Sequence, residues 1–167
     1  MGSAPAIPVA ALRDPVVLLA TGFGAGLLRP GPGTWGTLVG LPLVWLLAQL
    51  PLPMASMLLL TLAVLGIGIC GAAGRRLGVS DHGGIVYDEI IGLCVTLLLF
   101  PFDWITVLLG FLAFRLFDIF KPWPASWADR ELHGGLGVMV DDLIAGLYAA
   151  LLLFGVREGL LWFELLP

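Results

Sequence analysis

The sequence predicts an all-α integral membrane protein, a polytopic helical bundle with a polar site at one end. Hydrophobic residues make up 59% of the 167 residues and charged residues 12%, whereas a soluble domain has about 45–50% and about 25%. No charged residue occurs from position 30 to position 74. Because a helix needs about 20 residues to cross a bilayer, this run predicts two helices, separated at Pro51 and Pro53.

The remaining elements follow from the same pattern of apolar runs. We expect a short N-terminal helix within residues 15–28 that is interfacial or re-entrant, because this stretch is apolar but rich in glycine. We expect about five membrane helices after it, at residues 35–50, 54–74, 90–102, 104–114 and 143–156. Residues 90–114 could instead form one helix that is kinked at Pro101.

The basic residues favour a hairpin at Pro101. With a hairpin tip there, the loops 28–34, 75–87 and 121–140 share one face, and that face, with Arg115 beside the loops, holds six of the eight basic residues. An excess of Lys and Arg is typical of cytoplasmic loops. We therefore predict that the polar site lies at the cytoplasmic end of the bundle.

Composition also excludes several classes of protein. The net charge of −4 argues against nucleic acid as a partner. Two cysteines are too few for a disulfide framework. No linker or internal repeat divides the chain, so we expect one membrane-embedded domain over residues 1–167.

A glycine-rich segment with the sequence RPGPGTWGT occupies positions 29–37, directly before the first predicted span. Its exposed backbone N–H groups and the following helix N-terminus favour a phosphate. Thr34 and Thr37 add hydroxyl groups. A flexible entry loop with a capped helix start is the alternative interpretation. Although the spacing of Gly31, Gly33 and Gly36 matches a dinucleotide fingerprint, no strand precedes it, which excludes that function.

Acidic residues cluster near the ends of the other predicted helices. Arg115, Asp118 and Lys121 recur at intervals of three and so lie on one helical face. Adjacent carboxylates at a bilayer edge are a costly way to cap a helix, and hard oxygen ligands suit Mg²⁺. The predicted metal ligands are Asp88, Glu89, Asp118, Asp141 and Asp142. The two histidines, His82 and His133, are expected at the surface, and residues 134–137 in a mobile loop.

These segments together resemble the bacterial phosphatidylglycerophosphatase A family. The resemblance rests on PGTWGT at 32–37, Asp-Glu at 88–89, FDIFKPWP at 117–124 and DDLIAG at 141–146, a core of about residues 22–146. It implies an enzyme of the cytoplasmic (inner) membrane, with its active site facing the cytoplasm. The implied reaction is Mg²⁺-dependent hydrolysis of phosphatidylglycerophosphate, a bilayer phospholipid, to phosphatidylglycerol and phosphate.

Within this hypothesis, water attacks the phosphate, and Asp118 or Asp129 acts as the base. The expected catalytic residues are Arg115, Asp118, Lys121 and Asp129. The expected phosphate-binding residues are Thr34, Gly36, Thr37, Arg115, Lys121 and Arg130.

Two alternatives belong to other classes of mechanism or function. Cys70 and Arg76 satisfy the C-x5-R spacing of cysteine phosphatases, which would allow dephosphorylation of another lipid phosphate. Carboxylates near a membrane could also mark a divalent-cation channel or transporter. The sequence leaves the oligomeric state open.

Overall fold

The computed structural model describes residues 6–79 and 82–162, and every regular element within these ranges is helical. Short 3₁₀ helices lie at Val9–Arg13 and Ala25–Leu27. The α-helices are α1 (Pro15–Ala20), α2 (Pro32–Val39), α3 (Leu41–Ala48), α4 (Leu52–Leu77), α5 (Tyr87–Leu97), α6 (Trp104–Phe120), α7 (Ala125–Glu131) and α8 (Gly134–Trp162).

Helix α8 is the centre of the packing. It contacts α4, α5, α6 and α7, while α5 also packs against α2 and α4. The interior is filled by apolar side chains from these helices, among them Ile91, Leu93, Phe114, Met139 and Leu153, each at most 1% exposed. The structure therefore gathers the shorter helices around α5 and α8.

Two helices in the described part of the chain, α4 and α8, are long and apolar enough to cross a membrane. Their outward faces carry large apolar side chains, such as Met57 and Leu151, which are 71% and 69% exposed. A core helix of a water-soluble protein would bury such residues, whereas a bilayer solvates them. The exposure of this face is what a lipid-facing helix requires.

The prediction of about five membrane helices is not supported. The apolar stretch at residues 32–48 is divided at Gly40 into α2 and α3, since Pro42 lacks the N–H that would continue the helix. Helix α5 has 11 residues, which extend over about 17 Å, against a hydrocarbon core of about 30 Å. Helix α6, with 17 residues, is also short of a full span.

The predicted hairpin is confirmed. Helix α5 ends at Leu97, α6 begins at Trp104, and the two helices pack against each other. Asp103 caps α6, because its Oδ1 accepts a hydrogen bond from the Thr106 N–H at 2.9 Å. Residues 90–114 are therefore two helices and not one kinked helix.

The start of α8 differs from the prediction. The helix begins at Gly134, so the expected mobile loop at residues 134–137 is its first turn. The first turn of α8 packs closely on α4 because Gly135 has no side chain, since a Cβ there would overlap the Ile67 carbonyl of α4. Helix α7 occupies part of the expected loop at 121–140. Residues 15–28 form α1 and a 3₁₀ turn, with Gly22, Phe23 and Gly24 at positive φ between them.

Candidate functional site

Arg115 connects three helices at one end of the bundle. Its Nη1 atom lies 3.0 Å from Glu89 Oε1 on α5 and 2.5 Å from Asp118 Oδ2, one turn along α6. The same nitrogen is 3.5 Å from Thr37 Oγ1 on α2. One guanidinium group thus holds two carboxylates and reaches the helix that follows the glycine-rich segment.

Gly33 gives α2 the space to approach this ion pair. A Cβ atom at Gly33 would overlap the Glu89 carboxylate and lie 2.9 Å from Arg115 Nη1. The absence of a side chain therefore lets the first turn of α2 lie directly on the pair formed by Glu89 and Arg115.

Lys121 forms the second basic link. It ends α6 in a left-handed conformation, with φ of 42°. Its Nζ atom donates to Asp129 Oδ1 on α7 at 2.7 Å and to Asp141 Oδ2 on α8 at 2.5 Å. Burial of the ammonium group opposes protonation, but the hydrogen bonds to both carboxylates outweigh it and raise the pKa of Lys121 above its ordinary value. Lys121 is therefore a permanent cation that joins α6, α7 and α8.

The acidic side chains converge as the sequence predicts. Asp118, Asp141 and Asp142 are buried. Asp142 is repelled by the negative charges of four neighbouring carboxylates, which belong to Asp88, Glu89, Asp118 and Asp141. Such a concentration of like charge is unfavourable unless cations accompany it.

Three buried carboxylate oxygens test whether these residues fit a metal ion. Glu89 Oε2, Asp141 Oδ1 and Asp142 Oδ2 have no hydrogen-bond partner within the described ranges. Buried polar atoms without partners are costly, and hard oxygen donors of this kind suit Mg²⁺. Among the residues that the structure describes, however, no three acidic, histidine or cysteine side chains are placed to hold a metal ion as they stand. The donor chemistry fits Mg²⁺, and coordination would require the carboxylates to draw closer together.

The other predicted phosphate-binding residues occupy different environments. The Thr37 hydroxyl donates to the Gly33 carbonyl at 2.8 Å, and Gly36 lies against Val86. Thr34 is half-buried. Arg130 is exposed and donates from Nε to the Ser126 carbonyl within α7. Thr37 is thus brought to Arg115, whereas Arg130 stays on its own helix.

The cysteine alternative is wrong. Cys70 and Arg76 both lie within the uninterrupted helix α4, so the backbone between them forms no phosphate-binding loop. Cys70 is completely buried, with Sγ 4.0 Å from Met139 Sδ. Arg76 forms an ion pair with Asp14.

His82 is a residue whose position the sequence did not reveal. It is 6% exposed, although a surface position was expected, while His133 is exposed as predicted. His82 precedes α5, and the backbone N–H of Val86 donates to the Ala20 carbonyl at 2.8 Å, which holds this segment against the end of α1. The neighbouring Gly84, at which a Cβ would lie 3.0 Å from the Gly26 carbonyl oxygen, was the sequence signal for such a close approach.

Fold and site define a helical protein with two candidate membrane spans, in which Arg115 and Lys121 form ion pairs within a cluster of acidic side chains. Residues 18–157 match the sequence model of a family described as phosphatidylglycerophosphatase A. The chain belongs to the phosphatidylglycerophosphatase A family.

Individual relatives agree with this assignment. The chain is 42% identical over 144 residues to phosphatidylglycerophosphatase A of Escherichia coli strain K12, which covers 86% of this chain and 84% of that protein. It is 40% identical over 152 residues to phosphatidylglycerophosphatase A of Haemophilus influenzae, with 90% and 93% covered. A Bacteroides thetaiotaomicron protein with the provisional name phosphatidylinositol-3-phosphatase is 34% identical over 151 residues, with 84% and 92% covered. No solved structure matches the chain.

Proposed function

We propose that this protein hydrolyses the terminal phosphomonoester of phosphatidylglycerophosphate to give phosphatidylglycerol and inorganic phosphate. The observation that carries the proposal is 40–42% identity to two proteins named phosphatidylglycerophosphatase A over most of each chain. The protein is accordingly a phosphoric monoester hydrolase of phospholipid synthesis. This enzymatic function replaces the channel or transporter alternative.

Mg²⁺ is the cofactor that we propose for this reaction. The proposed ligands come from α5, α6 and α8 and are Asp88, Glu89, Asp118, Asp141 and Asp142. The partnerless oxygens of Glu89, Asp141 and Asp142 support this assignment. When bound, the ion would offset the charge of the phosphate and polarise the phosphorus–oxygen bond that breaks.

Arg115 and Lys121 bind the phosphate in the proposed mechanism. Both already lie among carboxylates, and each would turn toward the non-bridging phosphate oxygens when the substrate enters. Fixed cations at these oxygens stabilise the charge that develops in the transition state. Thr34, Gly36 and Thr37 belong to the segment that would border the phosphate, and Arg130 would reach it only by leaving Ser126.

Water is the proposed nucleophile. Asp118 or Asp129 accepts its proton as the water oxygen bonds to phosphorus and the bond to the glycerol oxygen breaks. The glycerol oxygen takes up a proton and leaves as the hydroxyl of phosphatidylglycerol. Asp118 is buried beside Arg115, whereas Asp129 is exposed beside Lys121, so the two candidates differ in their access to water.

We place the protein in the inner membrane as a multi-pass protein whose active site faces the cytoplasm. Gly135 at the start of α8 packs on Gly71 near the end of α4, so the acidic residues of α8 lie at the same end as Arg75 and Arg76. Basic residues at this end support a cytoplasmic orientation.

Phosphate release tests the proposed function. Purified protein in detergent is given phosphatidylglycerophosphate with EDTA or with Mg²⁺, and Asp118→Asn is compared with Asp103→Asn at the opposite end of α6. We expect Mg²⁺-dependent release that is lost in Asp118→Asn and retained in Asp103→Asn and Cys70→Ser. Absence of release by folded wild-type protein would refute the activity, while release in EDTA would refute the metal requirement.

A second candidate substrate comes from the Bacteroides relative, whose provisional name assigns it phosphatidylinositol 3-phosphate. Parallel assays with both lipids separate the candidates. We expect a higher kcat/KM for phosphatidylglycerophosphate, and the opposite preference would reassign the substrate.

A further inference from the structure

A cavity lies beside the acidic cluster and is not used by the mechanism above. Its volume is about 210 Å³. The residues that line it include Ile7, Gly26, Arg29, Pro32, His82 and Gly84. It therefore forms where the 3₁₀ turn after α1, the glycine-rich segment and the loop before α5 meet.

Close backbone packing builds the wall of this cavity. A Cβ at Gly26 would overlap the Gly84 carbonyl, and a Cβ at Gly84 would lie 3.0 Å from the Gly26 carbonyl oxygen. His82 is held in the wall, since its Nδ1 accepts a hydrogen bond from the Gly84 N–H at 3.0 Å. Because Nδ1 is an acceptor, the ring proton of the neutral imidazole is on Nε2.

The charge of the lining favours an anion. Arg29 contributes a guanidinium group, and none of the described residues that line the cavity is acidic. Within the described ranges Arg29 forms no ion pair, in contrast to Arg76 and Arg115. An unpaired guanidinium beside exposed backbone groups is suited to a phosphate oxygen.

The cavity adjoins the proposed catalytic centre. Pro32 lines the cavity, and the next residue, Gly33, lies against the Glu89 carboxylate and Arg115. Consecutive Cα atoms are about 3.8 Å apart. A ligand with two anionic groups a few carbon atoms apart could therefore occupy both places at once.

We propose that this cavity binds the phosphodiester of the lipid substrate while the terminal phosphomonoester lies at Arg115 and Lys121. This inference rests on the proposed function. Phosphatidylglycerophosphate carries a phosphodiester and a phosphomonoester on the two ends of one glycerol, which matches two adjacent anion sites. Arg29 would then select for lipids that carry a second phosphate group.

Product inhibition tests this assignment, because phosphatidylglycerol retains the phosphodiester and lacks the phosphomonoester. Phosphate release from phosphatidylglycerophosphate is measured with wild type, Arg29→Gln and the matched control Arg13→Gln, an exposed arginine outside the cavity. Phosphatidylglycerol and inorganic phosphate serve as separate inhibitors. We expect Arg29→Gln to raise the inhibition constant of phosphatidylglycerol and the KM about tenfold. The inhibition constant of inorganic phosphate should not change, and Arg13→Gln should match wild type.

Three other results would overturn either this proposal or the proposed function. Equal inhibition of wild type and Arg29→Gln by phosphatidylglycerol overturns the proposal. A parallel loss of inhibition by inorganic phosphate also overturns it, because the cavity would then hold the phosphomonoester. If folded wild-type protein releases no phosphate, the proposed function itself has failed, which is distinct from a defect confined to Arg29→Gln.

Discussion

At the scale of single residues, the candidate site is a set of carboxylates held apart by two cations. Arg115 pairs with Glu89 and Asp118, and Lys121 pairs with Asp129 and Asp141. Removing one member of a partly buried pair leaves the other charge uncompensated. Substitutions at either basic residue therefore alter the charge balance of the entire cluster.

Gly33 is predicted to be essential for the geometry of the pair of Glu89 and Arg115. In Gly33→Ala the new methyl group would displace the Glu89 carboxylate, and we expect phosphate release to fall at least tenfold. Gly68→Ala is the control, since a Cβ at Gly68 meets nothing within 4 Å. Steady-state assays in detergent measure both variants. Equal activity of the two alanine variants would contradict the role of Gly33.

Lys121 is predicted to contribute transition-state stabilisation. Lys121→Met removes a cation, and we expect kcat to fall about 10²-fold, the effect that loss of one electrostatic contact to a transition state produces. Arg75→Met, which removes an exposed cation at the same end of the bundle, should keep its activity. Wild-type kcat in Lys121→Met would show that Lys121 serves structure only, through its links to α7 and α8.

At the scale of elements, helix contacts depend on small residues. A Cβ built on Gly92 of α5 would overlap Phe114 and lie 2.9 Å from the Asp142 carbonyl oxygen. A Cβ on Gly146 of α8 would in turn overlap the Gly92 carbonyl. Thr96 Oγ1 donates to the carbonyls of Gly92 and Gly146 at 3.0 and 3.3 Å. The close contact of α5 with α8 holds the acidic residues of both helices together.

Gly92→Ala is expected to lower the free energy of unfolding by about 1–3 kcal/mol, because the methyl group overfills this contact. Gly155→Ala lies on α8 where nothing is within 4 Å of the added Cβ, and it should leave stability unchanged or raise it. Thermal unfolding in detergent distinguishes the two. A loss in Gly155→Ala as large as that in Gly92→Ala would contradict this account of the packing.

The cap of α6 predicts a pH dependence of stability. Burial opposes ionisation of Asp103, but hydrogen bonds from Thr106 and attraction by Arg157 together outweigh it and lower the pKa of Asp103 below the ordinary value. The carboxylate therefore stabilises the fold above the ordinary pKa of about 3.9, and this contribution is lost as the pH falls through the lower folded pKa.

Asp103→Ala should reduce the free energy of unfolding by about 0.5–2 kcal/mol at pH 7, and its difference from wild type should shrink toward pH 3. Unfolding curves between pH 7 and pH 3 measure this convergence. Asp103→Asn retains a capping side chain without the charge, so its stability at pH 7 should lie between those of wild type and Asp103→Ala. A pH-independent difference between wild type and Asp103→Ala would contradict the contribution of the charge.

At the scale of the whole molecule, the proposed orientation predicts which ends can be labelled. Leu99 lies in the turn between α5 and α6 and is 70% exposed, whereas Trp123 follows Lys121 and is 76% exposed. In intact spheroplasts, a membrane-impermeant maleimide should label Leu99→Cys. The same reagent should label Trp123→Cys only after the membrane has been permeabilised. The parent chain is the control, since Cys70 and Cys94 are buried. Labelling of Trp123→Cys in intact spheroplasts would reverse the orientation.

The sequence predicted the parts of the fold that depend on local signals. The span at 54–74 agrees with α4, because prolines and arginines bound its uncharged run, and Pro101 marks the confirmed hairpin. The start of α8 was missed, since packing of Gly135 on α4 overrides the low helix propensity of glycine. The break at Gly40 was missed too, because hydropathy does not report how a proline interrupts a helix.

In the candidate site, too, the sequence predicted the features that depend on local spacing and missed those that depend on how the helices pack. The spacing of Arg115 and Asp118 correctly placed these two residues beside each other, because helical periodicity is local. Lys121 lies at the C-cap of α6, outside the helical periodicity, and pairs with other helices. The choice of partner, such as Glu89 for Arg115 or Asp141 for Lys121, depends on how α5, α6 and α8 pack. The cavity around Arg29 depends on contacts between segments that are distant in the sequence, so no periodic pattern predicts it.

The start of α8 at Gly134 determines how far along the helix the adjacent acidic residues Asp141 and Asp142 lie from its N-terminus. Asp141 is the eighth residue of the helix, whose first turn carries no acidic residue, so it lies about 10 Å along the axis from the N-terminus. The helix dipole acts within the first turn and does not offset charges at this depth. Their compensation must come from other segments, above all Lys121. The site therefore acquires its electrostatic balance only when α6, α7 and α8 have come together, so its assembly and the tertiary folding of the protein are one event.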